Sequence, residues 1–108
     1  CALTNIDIPD LLLASHIKPW AKDKENRLNP LNGICLSALY DRAFDQGLIG
    51  FDQNYKTILS KEIKNNCNKT YFEQYFKIIE NRTLQIPYIE YAPSKDFLEW
   101  HMDCIFRR

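Results

Sequence analysis

The sequence predicts an α+β domain, and three observations carry the prediction. Two short apolar runs, residues 11–17 and 34–36, are separated by a polar excursion and read as a pair of strands. A stretch with helical apolar spacing follows directly at 37–46. Beyond it come two β-like runs at 48–51 and 55–59, and then two segments with helical patterning. The expected architecture is a strand–strand–helix core over about residues 1–52, with an added β-hairpin and C-terminal helices over about 53–108.

Composition sets the limits. At 108 residues the chain is one small domain with room for a single core. Hydrophobic residues at 45% and aromatics at 13% argue for a folded globule rather than a disordered segment. Fourteen basic and fourteen acidic residues cancel to a formal net charge of zero. A self-sufficient nucleic-acid binder usually carries a basic excess, because phosphate neutralisation supplies most of its affinity. Zero net charge is therefore evidence against a self-sufficient nucleic-acid binder, and any nucleic-acid binding by this chain alone is expected to be weak and salt-sensitive. No apolar run approaches membrane-spanning length. The chain opens on Cys1 rather than Met, in what reads as a strand, and is expected to be a fragment of a longer polypeptide.

The elements follow in order. Residues 11–17 read as a buried strand, ended by Pro19, with Trp20 packing back on the core. Residues 21–30 (AKDKENRLNP) read as a long surface loop, a type that tends to be functional. Asn32-Gly33 is a turn dipeptide, and residues 34–36 return toward the first strand. Ser37 is the expected N-cap of a helix through Gln46, with Gly47 as its stop. On that helix Asp41 and Asp45 share a face one turn apart, a mildly unfavourable pairing that a nearby cation would justify. Asp52-Gln53-Asn54 joins the next two runs as a hairpin, and 61–69 reads as a polar connection. Residues 71–80 look helical, with Tyr71, Phe72, Tyr75 and Phe76 expected in the core rather than forming a base-stacking platform. IPYIEYAP is extended, and a final helix from Ser94 to about Phe106 buries Phe97, Leu98 and Ile105. His101 on that helix is expected to be structural.

Four cysteines are scattered as Cys1, Cys35, Cys67 and Cys104, with no C-x-x-C pair. Structural zinc usually draws its thiolates from such pairs, so reduced thiols and no structural zinc are expected.

The chemistry concentrates on His16, Asn32 and Asp41, spaced 16 and then 9 residues apart. A histidine near neutral pKa suits activation of a water, and a divalent cation suits stabilisation of a phosphoryl group and its leaving oxygen. Mg²⁺ takes oxygen ligands and keeps several waters, so one or two protein oxygens suffice.

The segments A-S-H-I-x-P-W, N-G-x-x-L and D-x-x-F-D-x-G-L-I resemble those of the HNH endonucleases of the ββα-metal fold, particularly a subgroup associated with restriction enzymes. The resemblance is good from Cys1 through Gly50 and looser in the C-terminal FLEWHMDCIF stretch. It implies His16 as the general base, Asn32 as the residue that ties the loop so that His16 is held, Asp41 as a metal ligand, and Asp45 as a partner of the ion or its waters. Lys18 and Arg42 are the expected phosphate contacts, with Lys22, Lys24 and Arg27 nearby in sequence. Two positions depart from the family pattern. Asp41 stands where the motif ends in His or Asn, and Ser15 stands where many relatives place an Asp or His ligand.

What the resemblance implies is an endonuclease cutting double-stranded DNA with Mg²⁺, Mn²⁺ or a similar ion. It would be the catalytic part of a cytoplasmic bacterial restriction or defence protein, with a DNA-recognition domain elsewhere in the same chain and a possible homodimeric state. Two rival readings remain beside it: a degenerate copy that only binds DNA or a partner protein, and a secreted toxin held by an immunity protein.

Overall fold

The computed structural model describes residues 1–18 and 29–108. Two antiparallel ribbons form its frame. β1 (Leu12–His16) pairs with β2 (Gly33–Ser37), with Ser15 opposite Ile34 and His16 opposite Gly33. β3 (Ile49–Phe51) pairs with β4 (Thr57–Leu59). Between them runs α1 (Ala38–Asp45), which packs on β1, β2 and β3. Further on come α2 (Lys61–Lys64), a single π turn at Phe72–Phe76, and α3 (Lys95–Cys104), which packs on β3.

Strand alternation explains β2. Ile34 and Leu36 on β2 turn into the core while Cys35 between them is exposed. β1 does not alternate in this way and is not the fully buried strand expected, since the neighbours Leu13 and Ala14 are both exposed and only Ser15 is buried. Of the turn dipeptide Asn32-Gly33, Asn32 lies in a turn and Gly33 does not. Residues Pro30–Asn32 form a 3₁₀ turn, whose start is capped by the Asn29 side chain accepting from Leu31 N–H at 3.0 Å. Gly33 is already extended as the first residue of β2. The expected roles of Pro19, Trp20 and the loop at 21–28 fall outside the described residues.

Of the apolar helix positions expected from the sequence spacing, Leu39, Tyr40, Ala43 and Phe44, α1 buries the last three, while Leu39 is exposed. Ser37 occupies its N-cap position with extended backbone, but its hydroxyl makes no cap bond. The C-terminus ends as expected at Gly47, which adopts φ 74°. Leu48 N–H donates to Ala43 O at 2.8 Å and Gly47 N–H to Phe44 O at 3.0 Å, the paired bonds of a Schellman motif.

The hairpin expected around residues 52–54 forms, with Asp52 Oδ1 accepting from the amides of Asn54 and Lys56. Three other expectations need correction. Residues 61–69 are not merely a connection, because Ser60 Oγ accepts from Ile63 N–H at 3.3 Å and caps the turn of α2, burying Ile63. The 71–80 segment buries Phe72, Phe76 and Ile79 at helical spacing, yet it is one π turn followed by irregular turns. Tyr71 and Tyr75 are exposed rather than core. Lys77 N–H reaches Phe72 O at 2.8 Å in the π register and Ile79 N–H reaches Phe76 O at 3.1 Å, while the buried Tyr40 hydroxyl donates to Tyr75 O at 2.6 Å. Residues 1–4 form a turn, not a strand, stitched in place by Ala2 N–H to Cys35 O and Gln85 N–H to Ala2 O. Within IPYIEYAP a 3₁₀ turn, Ile89–Tyr91, interrupts the expected extended chain.

The core unites both halves: Leu3, Ile17 and Phe44 are packed with Phe51, Ile79 and Leu98. All four cysteines are free thiols, Cys1 half-buried and the others exposed. Among the described residues, no helix is long and apolar enough to cross a membrane.

Candidate active site

His16 is the last residue of β1, half-buried, where the strand leaves the ribbon. The backbone just beyond it is held by Asn32, a fully buried side chain. Asn32 Oδ1 accepts from Lys18 N–H at 2.8 Å, and its Nδ2 donates to Lys18 O at 3.1 Å. Its own carbonyl accepts from Ile17 N–H at 3.0 Å. One side chain thus satisfies both polar groups of Lys18, two residues after His16, and the conformation of the segment follows from it. His16 and Asn32 open onto one shallow groove with Leu12, Ala14, Gly33 and Cys35. A second groove, lined by Cys1, Asn5, Asp7, Tyr88 and Tyr91 among others, lies across residues 33–35 and contains neither of them.

α1 brings the carboxylates. Asp41 is half-buried in its first turn and Asp45 exposed at its last residue. Partial burial, and then the like charge of Asp41, push the Asp45 carboxyl above the ordinary carboxylate range. Arg42 and His16 pull it back. The Asp45 carboxyl therefore lies within electrostatic reach of Asp41, Arg42 and His16, four of the residues singled out from the sequence. The Lys18 Nζ lies 5.7 Å from the centre of the Phe97 ring and 5.6 Å from that of Trp100. Arg42 is exposed on α1, as a phosphate contact must be.

Ser15 is 2% exposed, and its hydroxyl has no hydrogen-bond partner among the described residues. Register places it on the same face as Ile34, toward α1. A buried polar atom without a partner is costly unless something else satisfies it. Among the described residues, no group of three or more His, Cys, Asp or Glu side chains is placed to hold a metal ion. A hard divalent cation needs less than that, because it retains waters and takes substrate oxygens. Asp41 and Asp45, one turn apart on α1, offer carboxylate oxygens of the kind that Mg²⁺ or Mn²⁺ takes.

Sequence reasoning missed that α3 reaches Lys18, while His101 on it takes the structural role expected. Phe97 and Trp100 meet Lys18, and His101 meets Phe44. The signal available was the i, i+3, i+4 stripe Phe97, Trp100, His101, legible as one helix face but not as one aimed at the site.

No curated protein gives a significant match to the chain. A family model described as HNH endonuclease matches residues 1–52. That span contains β1, β2, α1 and β3, and with them Ser15, His16, Asn32, Asp41 and Asp45. Over residues 1–52, then, this chain matches the HNH endonuclease family.

Proposed function

We propose that the chain is the catalytic domain of a divalent-metal-dependent endonuclease that hydrolyses phosphodiester bonds of double-stranded DNA, within a restriction or defence protein whose other domain selects the DNA. The family match over residues 1–52 implies nuclease chemistry. The observation that carries the residue assignment is the fastening of the segment after His16 by Asn32, beside an α1 whose Asp45 senses both Asp41 and His16.

In this reading His16 accepts a proton from the attacking water as general base. Asn32 contributes no proton; it holds the backbone that aims His16. Asp41 and Asp45 would hold the Mg²⁺ or Mn²⁺ ion, which when bound supplies Lewis-acid stabilisation of charge on the phosphoryl and leaving oxygens. Arg42 contacts a flanking phosphate. Lys18 is the second phosphate contact, its ammonium held at the edge of the site by the α3 rings.

The test is plasmid cleavage by the full-length parent protein with Mg²⁺ or Mn²⁺, comparing wild type with His16→Ala. Metal-dependent nicking or linearisation that disappears in a folded, DNA-bound His16→Ala protein is the expected result. Cleavage that survives the substitution places the nuclease in another domain. The specific observation favouring a second reading is Ser15 in place of an acidic ligand, which leaves only two carboxylates. DNA binding without cleavage by either protein identifies such a degenerate binding module.

A further inference from the structure

The family match stops at residue 52, yet one helix from the second half touches both sides of the proposed site. Toward the His16 segment, α3 presents Phe97 and Trp100, which hold the Lys18 ammonium at 5.7 and 5.6 Å from their ring centres. Lys18 is the residue whose main chain Asn32 fastens. Toward α1, the His101 ring stacks on Phe44 with centres 3.8 Å apart and planes 6° from parallel, and His101 Nε2 donates to Phe44 O at 2.8 Å. Phe44 immediately precedes Asp45. Main-chain bonds secure both ends of the helix: Ser94 N–H to Leu31 O at 2.9 Å, one residue before Asn32, and Arg107 N–H to Gly47 O at 2.8 Å, just past α1.

We infer that α3 is a clasp across the site, in which Phe97, Trp100 and His101 are positioning residues that fix the separation between His16 and the carboxylates of α1. The inference rests on the nuclease reading for what is being positioned. None of the three touches a reacting atom. A two-stranded ribbon and an eight-residue helix are each marginal alone, so their mutual placement needs an outside constraint. α3 supplies one at each side. The same arrangement gives Lys18 a second task beyond phosphate contact, as the post by which α3 grips the segment after His16.

The experiment uses the full-length parent protein and pairs amide hydrogen exchange with cleavage kinetics. Phe97→Leu/Trp100→Leu removes both ring faces while keeping apolar bulk. The Lys18 amide, bonded to Asn32 Oδ1, is expected to exchange about tenfold faster, while the amides of Thr57 in β4 and Ser60 just past it keep their rates. The turnover number kcat should fall about a hundredfold, as misplacement on the scale of an ångström does, with KM nearly unchanged. His101→Leu should lower kcat likewise, and His101→Gln, which returns a donor to Phe44 O, should restore it. The clasp is overturned by unchanged exchange at Lys18, by acceleration spread equally over Thr57 and Ser60, by kcat retained despite a loosened Lys18, or by failure of His101→Gln to rescue. If wild type cleaves no DNA, the nuclease reading fails separately, and the exchange contrast between Lys18 and Thr57 still decides whether α3 holds the segment.

Discussion

Acidification should weaken this domain through His101. The ring is 2% exposed; Nε2 must carry the proton that it donates to Phe44 O, and Nδ1 is buried without a partner among the described residues. Protonating Nδ1 would place a charge where nothing accepts its hydrogen. Burial accordingly pushes the pKa down from 6.5 to about 4, although the bond to Phe44 O works in the opposite direction. The folded value lies below the unfolded one, so the unfolded chain takes up the proton first as pH falls. The contribution is complete above about pH 6.5 and is lost progressively between there and about pH 4. Each pH unit of displacement is worth about 1.36 kcal/mol, which caps the loss at about 3 kcal/mol, with about 2 kcal/mol of it spent between pH 8 and pH 5. Asp45 acts with the opposite sign, because its raised pKa favours the folded state on protonation. Comparing wild type with His101→Gln cancels that contribution. Urea unfolding at pH 8 and pH 5 should show wild type losing about 2 kcal/mol more than the variant. Equal losses in the two proteins would refute the assignment of the neutral, Nε2-protonated ring.

Two substitutions test the frame of the site. Gly47→Ala must place a Cβ at φ 74° against the Ile105 carbonyl oxygen, so thermal or urea unfolding should show a loss of about 3 kcal/mol, and a loss below about 1 kcal/mol would mean the Schellman turn relaxes freely. Asn32→Ala removes both bonds to the Lys18 backbone from a fully buried position, and should cost about 2–4 kcal/mol by the same measurement, with cleavage lost even in the protein that remains folded.

The parts legible in the sequence were those fixed by local periodicity. The apolar spacing of Tyr40, Ala43 and Phe44 set α1, Gly47 marked its end, and Asp52 announced the second hairpin. Asn32 as a tie on the loop came only from the family resemblance, since Asn32-Gly33 by itself reads as a turn; in the structure its amide donor and acceptor both go to Lys18. What escaped involves partners distant in sequence. The 71–80 segment reads as an ordinary helix, but its backbone takes a π turn and irregular turns with Tyr40 bonded to the Tyr75 carbonyl from across the fold. Lys18 reads as a free cation until α3 lays two rings beside it. β1 reads as buried because leucine is apolar, although Leu13 lies on the surface. His101 was read as structural, and its stacking and hydrogen bond on Phe44 give that role a physical form.

The stitching of the two halves also dictates how the chain reaches its native state. Arg82 donates to Leu3 O across 79 residues at 2.7 Å, and His101 reaches Phe44 across 57. Each such contact demands that a long loop be closed before any of its energy is recovered. The local ribbons and α1 gain little by forming early, since neither is stable by itself. The barrier to folding therefore lies in bringing the last third of the chain back onto the first, and the rate should resemble that of topologically complex domains rather than of helical bundles of equal length.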